Sequence, residues 1–247
     1  GATYLFTDVT TNVNAVLTID SLVNGARVTA IDDNSNGAGY RDAFQPSIQS
    51  GGIIGQSYAV FTIKFYHANT TNPAVLSNVN ATAVDLDGNN MLKEFVKINA
   101  GPGSILNYLT TSIDISVVQL PTGEFIGQNI LGVERNGIDT ANFSNMFTYS
   151  HHNVSSLTIK YGSITANTSR SSRQFSMYMK GFTYPNTSTL PVKLVSFSAT
   201  LDDDKVDLKW TTSSEKEVSH FSIEKSSDGQ HFSQAGIVFA IGNSSEI

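Results

Sequence analysis

The feature that most constrains this chain is the alternation Tyr58-Ala-Val60-Phe-Thr-Ile63-Lys-Phe65, in which every second residue is apolar. A period of two sends successive side chains to opposite faces of a strand, whereas an amphipathic helix needs apolar residues at i, i+3, i+4 and i+7. No window of helical length carries such a stripe with good helix formers and caps. Short β-branched and aromatic runs recur instead, separated by Gly, Asn, Asp and Pro. They predict strands over 2–7, 15–19, 27–31, 58–66, 80–86, 94–98, 113–118, 147–150, 156–161 and 174–182. The fold class expected is all-β, a large jelly-roll-like β-sandwich over 1–185. Its first and last runs are both strongly apolar and are expected to pair with each other, closing the domain.

The pattern breaks at 184–191, YPNTSTLP, where two prolines bracket a polar pentapeptide, so 186–191 reads as a semi-extended linker. Alternation restarts over 192–200, 205–212, 220–225 and 232–240, with Ser227-Asp228-Gly229 as a hairpin turn. Residues 192–247 hold only four or five strands, too few for a seven-stranded sandwich of about 100 residues. An open sheet edge left there invites pairing with another chain.

Composition removes whole classes of function. With no Cys among 247 residues, there is no disulfide framework, thiolate zinc site or Cys nucleophile. A net charge of −6 and a pI near 5.3 argue against nucleic acid, whose binders show a basic stripe. No apolar run approaches the roughly 18 residues of a membrane span, so membrane insertion is not expected.

Three ordered segments carry a resemblance: 190–200 (LPVKLVSFSAT), 206–212 (VDLKWTT) and 221–229 (FSIEKSSDG). Together they are similar to the fibronectin-type-III-like module near the C-terminus of many secreted and surface proteins of the Bacteroidetes, cargo of type IX secretion. The resemblance implies a second, partial β-sandwich whose core is filled by Trp210, and an extracellular or cell-surface location. The larger N-terminal region resembles β-rich modules of such proteins, and 80–88 (NATAVDLDG) followed by 94–98 (EFVKI) is similar to a segment of large bacterial adhesins.

Two loops match the chemistry of a calcium site, where alternate side chains curl oxygens around a hard cation. The first runs Asp32-Asp-Asn34-Ser-Asn36-Gly37. Ala43 stands where a bidentate Glu is usual, leaving Asp42 as a substitute. The second is Asp85-Leu-Asp87-Gly-Asn89, which also reads as a plain hairpin turn. Both would share one structural Ca2+ if the loops converged. His151 and His152 are adjacent, so a strand sends them to opposite faces and they suit contact with a ligand better than zinc.

For sugar recognition, Tyr40 and Phe44 flank Arg41 and Asp42 as a possible platform, with Tyr66 and His67 at a strand end and Tyr108 near a Gly-Pro-Gly turn. Arg170 and Arg173 sit in a Ser-rich stretch that reads as a solvated loop. Glu94, Glu124, Glu134 and Asp139 are the carboxylates available to a glycosidase, which needs two of them about 5–9 Å apart. None lies in a recognisable motif, and no G-x-S-x-G, H-E-x-x-H or P-loop occurs. The expectation is a non-catalytic extracellular module that binds polysaccharide or surface glycan, for targeting or adhesion. The alternatives are a structural spacer without ligand and a polysaccharide hydrolase.

Overall fold

The computed structural model describes residues 1–33, 43–101, 103–120, 124–135, 137–185, 192–203, 205–215, 220–227 and 232–240. Packing divides the chain into two units, Gly1–Thr187 and Ser188–Ile247. The first unit contains β1 (Thr3–Thr10), β2 (Val13–Val23), β3 (Arg27–Ala30), β4 (Ala43–Phe44), β5 (Ser47–Gln49), β6 (Gly55–His67), β7 (Leu76–Val84) and β8 (Leu92–Asn99). It continues with β9 (Ile105–Tyr108), β10 (Ile115–Gln119), β11 (Phe125–Asn129), β12 (Phe147–Val154), β13 (Ser156–Thr165), β14 (Ser172–Gln174) and β15 (Ser176–Tyr178). Among the described residues a single 3-10 turn, Phe143–Asn145, precedes β12.

The chain is all-β, and its first unit is a β-sandwich. A seven-stranded antiparallel sheet runs β1-β2-β6-β13-β8-β11-β10, and a five-stranded sheet runs β4-β15-β7-β12-β9. The alternation in β6 is realised as expected: Ala59, Phe61, Ile63 and Phe65 are buried while Thr62 and Lys64 face outward. Rings from the two sheets meet between them, Phe44 against Phe61 with centroids 5.6 Å apart and Phe125 against Tyr149 at 5.5 Å. Gly127 faces Phe147 so closely that an added Cβ would lie 2.2 Å from the ring, so the sheets touch there only because that position has no side chain.

The terminal strands do not close the domain. β1 pairs only with β2 and is an edge of the large sheet, whereas β15 lies between β4 and β7 in the other sheet. The single strand expected over 174–182 is two strands in different sheets. β14 joins β5 and β3 in a small three-stranded sheet, and the chain then crosses at buried Phe175 to β15. This crossing carries Arg173 and Gln174 to one end of the sandwich, beside the loop after β7.

In the second unit, β16 (Val192–Asp202) pairs with β17 (Lys205–Glu215), and β18 (His220–Lys225) pairs with β19 (Ser233–Phe239) as two separate hairpins. Trp210 stacks edge-on against Phe221, 5.7 Å between centroids, and is only half-buried. Phe197, Ala199 and Leu201 pair with Trp210, Leu208 and Val206, forming one apolar face. Leu201 on that face is 72% exposed. Among the described residues Trp210 thus meets the other hairpin through Phe221 while staying half-buried, so the core role implied for it is partly realised.

Candidate functional site

The loop after β7 begins with Asp85 in the left-handed region, φ +64°, a conformation Asp tolerates better than most residues. Leu86 then turns into the core at 1% exposed, and its N–H donates to the Asn145 carbonyl at 2.8 Å. With Leu86 inward, Asp85 and Asp87 both face a pocket of about 350 Å³. β8 adds Glu94, the β11–β12 connection adds Glu134 and Arg135, and β14 adds Arg173 and Gln174.

Arg173 organises this pocket. Its Nη2 donates to Asp87 Oδ1 at 3.1 Å and its Nη1 to Glu134 Oε1 at 2.5 Å. Its Nε lies 3.0 Å from Glu94 Oε1, an ion pair out of line for a hydrogen bond, so Nε is buried without a hydrogen-bond partner. The backbone N–H of Arg135 donates to Asp87 Oδ2 at 2.6 Å, and its guanidinium pairs with Asp114. Asp85 receives the Asn145 amide, Nδ2 to Oδ1 at 3.0 Å.

Burial and charge set the electrostatics. Burial, reinforced by the neighbouring Asp87 charge, pushes Asp85 up to about 7, against the opposing effect of Asn145, Arg173 and Arg135. Burial also raises Asp87, and it raises Glu94 well above the ordinary carboxylate range, with Asp87 adding to the effect. The hydrogen bond from Arg173, followed by that from Asn89, holds Glu134 low at the pocket mouth. The pocket therefore combines inner carboxyls that burial makes harder to ionise with one at the rim that Arg173 makes easier to ionise.

The sequence-expected residues divide as follows. Asp85 and Asp87 share the pocket. Asn89 Oδ1 instead accepts from the N–H groups of Met91 and Leu92 in its own turn, while its Nδ2 reaches Glu134 at 3.2 Å. Asn34, Asn36, Tyr40, Arg41 and Asp42 lie outside the described residues. At the stem of that first loop, Asp32 Oδ1 accepts from the Gln45 N–H at 2.9 Å. Gln174, which lines the pocket, donates to the Asp33 carbonyl. The stems of both candidate loops thus meet β14 at successive residues, Arg173 and Gln174. Among the described residues no three His, Asp or Glu side chains are grouped as a metal cluster.

Phe44 is 9% exposed, its ring committed to Phe6, Phe61 and Tyr161 in the core. Tyr66 and Tyr108 are half-buried, and His67 is exposed on a strand end. His151 Nδ1 lies 3.0 Å from Ser104 Oγ, whereas exposed His152 turns to the Ser77 carbonyl at 3.3 Å, so the pair separates as its spacing predicts. Arg173 is not solvated: its side chain is 14% exposed. Arg170 braces the carbonyls of Gly25 and Ser50, Glu124 pairs with Lys160, and Asp139 accepts from the Ala141 N–H. The roles of Arg135, Asn145 and Gln174 had no local signal.

A second groove of similar size, about 350 Å³, runs along β7 between Val9, Leu76, Val79 and Met179. It is more apolar, and among the described residues no charged side chain lines it. Among the described residues, no helix is long and apolar enough to cross a membrane.

No protein-family model matches the chain, and no curated protein matches it. Among solved structures it is similar to glucan-binding protein C of Streptococcus mutans, a protein described as mediating sucrose-independent and sucrose-dependent adherence. That similarity has a TM-score of 0.40 and 14% identity, covering 68% of this chain and 53% of that one. The match thus spans about half the length of the streptococcal chain.

Proposed function

We propose that this protein is a non-catalytic, extracellular carbohydrate-binding module, used in adhesion or in targeting to polysaccharide, and that the Arg173 pocket is its ligand site. The observation that carries this reading is the prearranged lattice of Asp87, Glu94, Glu134 and Arg173 around a pocket of about 350 Å³. Vicinal sugar hydroxyls each offer a donor and an acceptor, and carboxylates beside a guanidinium match both in a fixed geometry. Side chains already locked by ion pairs lose little entropy on binding. Among the described residues the lining is mainly polar and charged, which suits recognition through hydrogen bonds. The resemblance of 190–229 to modules of exported proteins supports a secreted or cell-surface location.

Calcium competes for the same carboxylates. The Arg173 guanidinium already stands against Asp87, Glu94 and Glu134, which favours the saccharide over the ion. A glycan array followed by calorimetry tests the proposal. Binding should weaken about tenfold or more in Glu134→Gln, whose carboxylate is 48% exposed at the mouth and whose replacement spares the fold. A spacer binds no glycan at all, and a hydrolase releases reducing ends from the polysaccharide it binds; either result rejects the proposal.

A further inference from the structure

The geometry points to a cationic saccharide as the ligand, one whose protonated amino group sits against Asp85, as in a 2-amino-2-deoxy sugar. This inference rests on the pocket being a glycan site. Four carboxylates line the pocket, and the two guanidinium groups beside them are already engaged. Arg173 serves three of the four, and Arg135 spends its guanidinium on Asp114. Asp85 accepts a hydrogen bond from the neutral amide of Asn145 and feels Arg173 and Arg135 only at longer range, with no salt bridge of its own among the described residues.

A second observation concerns hydrogen bonds. Asn145 is 0% exposed, its amide lies against the Asp85 carboxyl, and its Oδ1 has no hydrogen-bond partner. Asn145 lies behind the lining and supplies Asp85 with one donor, so the acceptors that a ligand meets at this end are the carboxyl oxygens of Asp85 and Asp87. A hydroxyl brings one donor together with acceptor lone pairs, whereas an ammonium brings three donors, no acceptor and the missing positive charge. An acetylated amine loses the charge and all but one donor. A uronate or sulfate adds a further acidic group to a pocket where four carboxyls already outnumber the two guanidinium groups, and like charges at this range repel.

The test compares glucosamine, N-acetylglucosamine and glucose oligomers of equal length and linkage by calorimetry against the full chain. Asp85→Asn and Asp207→Asn are the variants. Asp207 is exposed on β17, so the second variant makes the same change in net charge away from the pocket and controls for bulk attraction between an acidic protein and a polycation. The amino oligomer should bind about tenfold or more tightly than its acetylated counterpart, the return expected of a charge-assisted hydrogen bond. Asp85→Asn should bring that ratio near one, and Asp207→Asn should leave it unchanged. Equal or tighter binding of the acetylated or neutral oligomer overturns the inference while leaving the glycan site standing. So does a ratio that survives Asp85→Asn. Absence of binding by every oligomer overturns the glycan reading itself, and this inference with it.

Discussion

Replacing Asp85 by Asn should stabilise the first unit, and by an amount that grows with pH. The native pocket raises this carboxyl from an ordinary 3.8 to about 7. Between those values the folded chain holds a proton that the unfolded chain has released. Stability therefore falls as pH rises through that window, and the full penalty is present above about 7. A difference of about three pH units corresponds to up to about 4 kcal/mol. Asn carries no proton to lose, and it accepts the left-handed backbone at this position, φ +64°, at least as well as Asp. Its amide nitrogen would also donate to the orphaned Oδ1 of Asn145, while its oxygen keeps the bond from Asn145 Nδ2. Thermal melts from pH 4 to pH 8.5 check this. Near pH 4 the two proteins should melt together, and by pH 8 the variant should lead by roughly 5–15 °C for a unit of this size. A gap that does not change with pH, or a variant that is less stable at pH 8, would refute the reasoning.

Other substitutions probe the same framework. Arg173→Gln leaves Asp87 and Glu94 buried without their cation and should cost about 3–5 kcal/mol in a denaturant titration. Arg173→Lys should recover only part of this, since one ammonium cannot address three carboxylates in a fork. Gly127→Ala drives a methyl into the Phe147 ring and should cost at least about 1–3 kcal/mol, read from the same titration. Calcium bound through Asp87 would have to displace Arg173, so any calcium-dependent rise in melting temperature should survive Asp87→Asn; a rise that Asp87→Asn abolishes would show that the ion wins at this pocket.

What the sequence discloses and what it hides follow from the range of the interactions. Alternation in β6 is local, so both its strand and its buried face were legible. The placement of Asp85 and Asp87 on one side was legible for the same reason, with Leu86 between them as the anchor. Arg173 was not, because its partner Asp87 lies 86 residues away and its own neighbours are the small polar residues of a loop. Phe44 looked like a platform because nothing near it in sequence shows that Phe61 and Tyr161 close over its ring. The 174–182 run kept an even apolar pattern across Phe175, so nothing local revealed that β14 and β15 belong to different sheets. The cluster was assembled by that crossing, and topology of this kind leaves no periodic trace.

The central claim is that the Arg173 pocket is where this protein holds a sugar. A crystal structure of the full chain with a bound oligosaccharide tests it most directly. A sugar ring is expected between Asp85 and Arg173, with its polar groups within about 3.2 Å of the carboxylates of Asp85 and Glu134. A sugar ordered instead in the groove along Val9, Leu76 and Met179, with the Arg173 pocket holding only water, would contradict it.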